Sequence, residues 1–213
     1  MQSLFSPDSK FMQAMVRFGD LVILNFLFLL TCLPVFTIGA ASTALYTVVF
    51  RMDTEKEGNL SRSYFRAFRE NFKQGTLIFL ILALFAGAAC INLLLFSWLG
   101  GTAGYIGILF SALLLALAVL MYSLVFPLLS LFHSSVRSAL KNALILSIAH
   151  LPRSVAAGVL NVLPLGLLAV NLYAFMQSGM IWVFLYFSAA AYLNSRILNR
   201  VFAPYLTNEE EAK

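Results

Sequence analysis

NFLFLLTCLPVFTIGAASTALYTVVFRM (Asn25–Met52) is the stretch on which the reading of the fold turns. An apolar run of about 20 residues is what an α-helix needs to cross a bilayer. This one carries Pro34 and Gly39 near its middle. Proline removes a backbone donor and disfavours helix in the residue before it, so Pro34 and Gly39 are expected to break or bend the helix. A helical hairpin needs roughly 40 residues, more than the run offers. It is therefore either one bent span or a re-entrant element.

Composition sets the class. Of 213 residues, 61% are apolar and 11% charged, where soluble domains have about 25% charged residues. Mean hydropathy is +0.89. The chain is expected to be all-α, a polytopic helical membrane bundle forming a single membrane domain. Cys32 and Cys90 both lie in apolar runs and read as small packing residues, not as a disulfide or metal pair. The first residues include Pro7, Asp8, Lys10, Arg17 and Asp20, so no cleavable leader is expected.

Charge placement orders the spans. The 14 Lys and Arg fall in four segments: 1–20, 51–73, 134–154 and the tail. No charged residue lies between Gln74 and Val136, or between Ser154 and Ser195. Each uncharged block fits two spans and a turn. The expected spans are about 76–98 and 104–126 around LGGTAG, and about 155–175 and 179–195 around MQSG. The basic segments then share one side, which the positive-inside rule makes cytoplasmic, together with the C-terminus. Segment 51–73 carries Arg51, Lys56, Arg62, Arg66, Arg69 and Lys73, against Lys10 and Arg17 before the first run. This bias favours one span at about 21–43, bent at Pro34, with the N-terminus outside and about five spans in all. The alternative is a re-entrant element and four full spans.

Short amphipathic helices are expected at the interface. Ser6 and Pro7 give a helix start, and 6–18 places Phe11, Met15 and Phe18 on one face. In 60–74, Phe65, Phe68 and Phe72 form one stripe, beside Arg62, Arg66, Arg69 and Lys73. Segment 135–150 carries Arg137 and Lys141. These six cations are candidate contacts with anionic lipid or a cytoplasmic partner. The patch is too small and too close to the spans to suggest nucleic acid. RAFREN (66–71) and RSALKN (137–142) form a weak echo, each ahead of an apolar hairpin.

Polar residues at membrane depth are few. Asn25, Thr37, Asn92, Asn161 and Asn171 are candidates for lining a polar path, or for bonding between helices. Small residues at Ala83–Ala89, Ala156–Gly158 and Ala189–Ala191 suit close helix approach. No carboxylate falls inside an expected span, and His133 and His150 have no acidic companion. No nucleotide loop, nucleophile elbow or metal spacing occurs, so no enzyme activity, catalytic residue, metal or cofactor is expected.

Three stretches together resemble the YesL family, DUF624, of small bacterial multi-pass membrane proteins. They are FGDLVILNFLFLLTCLPVFTIGAASTALY (18–46), SYFRAFRENFKQGTL (63–77) and LKNALILSIAHLPRS (140–154). The resemblance implies a bacterial cytoplasmic membrane location and an association with carbohydrate uptake or sensing systems, but no biochemical activity. SIAHLP (147–152) is also similar to the end of the coupling helix of importer permeases of the ATP-binding cassette class. The acidic residue and central glycine of that motif are absent. Two readings stay open: an accessory component docking on carbohydrate transporter or sensor subunits, or a small transporter or channel with a polar path.

Overall fold

The computed structural model describes residues 10–52, 59–132 and 134–211, with side chains from 11 to 202 within those ranges. Ser6, Pro7, Lys56 and His133 lie outside them. Among the described residues the chain is helical, with no strand. The helices are α1 (Lys10–Cys32), α2 (Ile38–Arg51), α3 (Leu60–Glu70), α4 (Phe72–Leu99), α5 (Gly101–Leu131), α6 (Val136–Ala149), α7 (Leu151–Val170), α8 (Leu172–Gln177), α9 (Gly179–Ile181) and α10 (Phe187–Glu211). A π-helical stretch, Trp182–Tyr186, joins the last two.

Among the described residues, five helical segments are long and apolar enough to cross a membrane: Phe11–Cys32, Phe72–Leu99, Gly101–Leu131, Leu151–Val170 and Gly179–Phe202. Their outer faces carry exposed large apolar side chains such as Leu84, Leu94 and Leu109, as lipid-facing helices should.

The first element differs from the expected single span at 21–43. Among the described residues helix α1 runs from Lys10 to Cys32, so residues 11–18 belong to a candidate span and form no separate interfacial helix. Arg17 and Asp20 suggested a boundary in sequence, yet both lie inside the helix. Arg17 reaches across to the Tyr192 hydroxyl on α10 at 3.2 Å. The break comes at Leu33–Thr37. Pro34 is extended (φ −78°, ψ 104°) and a single 3-10 turn, Val35–Thr37, follows. Thr37 repairs the break: its hydroxyl donates to the carbonyls of Thr31 at 2.5 Å and Pro34 at 2.6 Å. The Thr31 carbonyl is one that the end of α1 otherwise leaves without a donor, whereas that of Pro34 also accepts the Thr37 N–H at 2.8 Å.

Gly39 is not part of the break, contrary to the expectation. It lies inside α2, where the backbone of α4 presses against it. A Cβ on Gly39 would stand 2.1 Å from the Gly75 carbonyl oxygen, and one on Gly75 would stand 2.8 Å from Ala40 Cα. Helix α2 is 14 residues long, about 21 Å and so short of the ~30 Å hydrocarbon core. It is the most enclosed element, buried at ten positions and packed on α3, α4, α5 and α10.

The other connections are simple. Gly100 and Gly101 turn α4 into α5 with φ of 65° and 63°, a conformation that favours glycine. At the other end of this hairpin, the Gln74 amide donates to the Ser134 carbonyl. The α7–α10 connection is longer than a turn at MQSG: α7 stops at Val170, and Asn171 caps the short helix α8.

Candidate functional site

Two features stand out: a basic end and an internal cavity. Asn59 starts α3 by accepting from the Arg62 N–H, and Ser135 starts α6 by accepting from the Ser138 N–H, both at 3.3 Å. Helix α3 leads straight into α4, and α6 follows α5. The Gln74–Ser134 bond therefore puts both amphipathic helices at one end of the α4–α5 hairpin. Arg62, Arg66, Arg69, Lys73, Arg137 and Lys141 are all exposed there. Arg66 pairs with Glu70 of the same helix at 3.3 Å, a surface pair that contributes little. Phe132 and Phe202 meet at 6.4 Å, bringing Arg200 of α10 to the same end.

Of the Phe65–Phe68–Phe72 stripe, Phe68 packs against the core. Tyr64 and Ala67 are buried, while Phe65 and Phe72 are each 38% exposed. Tyr64 turns the helix: its hydroxyl lies 2.6 Å from that of Thr31, beside the α1 break. Burial holds the Tyr64 pKa well above the ordinary 10.0. The opposite face, with its cations, is left free of the bundle.

The polar residues do not form a continuous path. Asn25 is fully buried and serves the π-helical stretch. Its amide donates to the carbonyls of Trp182 at 3.0 Å and Val183 at 2.6 Å, and its oxygen accepts from the Ser188 N–H at 3.1 Å. One side chain thus satisfies backbone groups that wider winding disturbs. Thr37 closes the α1 break. Asn171 is exposed and caps α8, accepting from the Ala174 N–H at 3.0 Å. Asn92 is exposed on α4.

Only Asn161 enters a wider network. It donates to the Ser123 hydroxyl at 3.0 Å and accepts from the Asn194 amide at 3.2 Å. Asn194 also donates to the Tyr46 hydroxyl at 3.2 Å. Ser42 and Tyr122 pair beside it at 3.2 Å. Four helices, α2, α5, α7 and α10, meet through these side chains. Asn194 was not singled out in sequence, although it falls at the end of the expected span at about 179–195, two residues before Arg196. The signal was there: Ala190, Ala191, Asn194, Leu198 and Val201 fall on one helical stripe, and all are buried.

Next to this network lies a cavity of about 580 Å³, bounded by α1, α2, α4, α5, α7 and the helical segment from Phe175 onward. Its walls are almost wholly apolar. Ser42, Tyr46, Tyr122, Asn161 and Tyr186 supply the polar points, and Cys32 the one thiol. Tyr186 donates to the Leu160 carbonyl at 2.6 Å. That carbonyl has lost its helical donor because residue 164, four positions on, is proline. Among the described residues no group of three or more His, Cys, Asp or Glu is placed to hold a metal.

Residues 21–93 match the family model described as "Protein of unknown function, DUF624". The matched segment contains the Pro34 break, α2, α3 and the Gly39–Gly75 contact. No curated protein and no solved structure matches the chain.

Proposed function

We propose that this integral membrane protein is a non-enzymatic accessory component, which docks on other membrane proteins through the basic face of α3. The observation that carries the reading is the division of α3 into two faces. Tyr64 and Ala67 anchor it to the bundle, while Arg62, Arg66 and Arg69 point away from it. An arginine-bearing face on a firmly seated helix suits an acidic partner surface or anionic headgroups. The fate of the polar residues argues against a transporter path: Asn25, Thr37 and Asn171 are spent on the backbone of their own bundle.

The partners we propose are carbohydrate transporter or sensor subunits in a bacterial cytoplasmic membrane, with the basic end and the C-terminus in the cytoplasm. The resemblance suggests the carbohydrate link, and the positive-inside rule the orientation. The test is affinity purification from native membranes in mild detergent, comparing wild type with Arg66→Glu/Arg69→Glu. Recovery of such subunits with wild type and their loss in the variant is the expected result. Recovery of the protein alone in both cases would reject the reading.

A further inference from the structure

We infer that the cavity, partly open at its rim, is a binding site for an uncharged lipid, holding its aliphatic chain against the apolar walls and a hydrogen-bond-accepting group against Tyr46 and Asn161. At about 580 Å³ the cavity falls within the ~300–1,000 Å³ of small-molecule sites. Those sites combine apolar walls with a few convergent polar groups, and this one does so with no charge among its lining residues.

The polar end is incomplete as it stands. The Tyr46 hydroxyl accepts from Asn194 and lies within reach of Asn161, which leaves its own hydrogen to give. The Asn161 amide uses one hydrogen on Ser123 and has a second to give. Buried polar groups are normally satisfied, so a cluster of this kind asks for an occupant. Water would satisfy the polar end and leave most of the apolar volume unfilled. Charge selects among lipids. A carboxylate or phosphate at Tyr46 would sit beside no cation, which is costly in a low-dielectric interior. An ester or ketone carbonyl, or an ether oxygen, would accept from Tyr46 and Asn161 at no such cost. The occupant is therefore a chain with a neutral acceptor, of which diacylglycerol is a convenient probe.

The full chain would be reconstituted in phosphatidylethanolamine–phosphatidylglycerol vesicles containing a little diacylglycerol with a photoreactive chain. Adducts would be mapped by peptide mass spectrometry. Expected are adducts on cavity residues such as Leu45, Leu82 and Leu115, competed by unlabelled diacylglycerol. Tyr46→Phe should weaken the competition about tenfold, the loss of one hydrogen bond. Ala118→Trp, which fills the cavity, should abolish these adducts. Ala83→Phe does the same from a position that is also exposed, and serves if the first variant misfolds. Adducts confined to outward residues such as Leu84 and Leu94 would overturn the inference. So would cavity adducts of equal strength from photoreactive phosphatidylglycerol, or cavity adducts unchanged in both filling variants.

Discussion

Replacing Gly39 by alanine tests the backbone contact between α2 and α4. The new Cβ would lie 2.1 Å from the Gly75 oxygen and 2.7 Å from Phe79 Cβ. Reaching the 3.4 Å of ordinary contact takes a displacement of about 1.3 Å at this point. The obstacle is backbone on a helix that packs along its length, so no side chain can swing aside. Moving packed surfaces apart by even 0.5–1 Å forfeits a quarter to a half of each contact's attraction. The cost should therefore sit at the upper end of the ~1–3 kcal/mol typical of overpacking, near 3 kcal/mol. The assay is reversible unfolding in mixed detergent micelles, with Gly87→Ala as companion. Gly87 also lies in α4 but has nothing within 4 Å of its added Cβ. That variant should stay within about 1 kcal/mol of wild type, on the stable side, because alanine is the better helix former. Equal stability of the two variants would refute the contact.

Three further outcomes are expected. Asn25→Leu removes the clamp on Trp182, Val183 and Ser188 and should cost about 1–2 kcal/mol in the same assay, whereas Asn92→Leu, at an exposed site, should not destabilise. Tyr186→Phe should destabilise by about 1 kcal/mol, and by less in a Pro164→Ala background, where residue 164 again has an N–H for Leu160; equal costs in both backgrounds would disprove this role. Tyr64 binds its proton more tightly when folded than its ordinary value of 10.0, because burial disfavours the phenolate. Its contribution is therefore complete below pH ~10 and falls as pH rises above that value. Unfolding titrations of Tyr64→Phe should lose less stability between pH 10 and 11 than wild type does.

What could be read from sequence followed from local chemistry. Uncharged blocks bounded by cations imply membrane hairpins because charge is excluded from hydrocarbon, and α4 and α5 are the two helices that cover the first such block. Pro34 breaks its helix because it lacks an N–H, a property it carries anywhere. The start of α1 was hidden because Arg17 has a distant partner, Tyr192, that keeps it in the helix. The role of Gly39 was misread for the same reason: its counterpart Gly75 is close only in the fold. The π-helical stretch has no signature in WVFLY, and its support comes from Asn25, more than 150 residues earlier. Asn161 was legible as a polar residue at depth, whereas its partners Ser123 and Asn194 required the helices to be placed.

On the proposed reading, α3 seats a partner through its arginines. Photocrosslinking in native membranes tests it most directly, with p-benzoylphenylalanine placed at Arg69 and, as control, at exposed Tyr173 in α8. Expected is a discrete adduct from position 69, containing a carbohydrate transporter or sensor subunit and absent from position 173. Adducts of equal yield from both positions, or none from position 69, would contradict it.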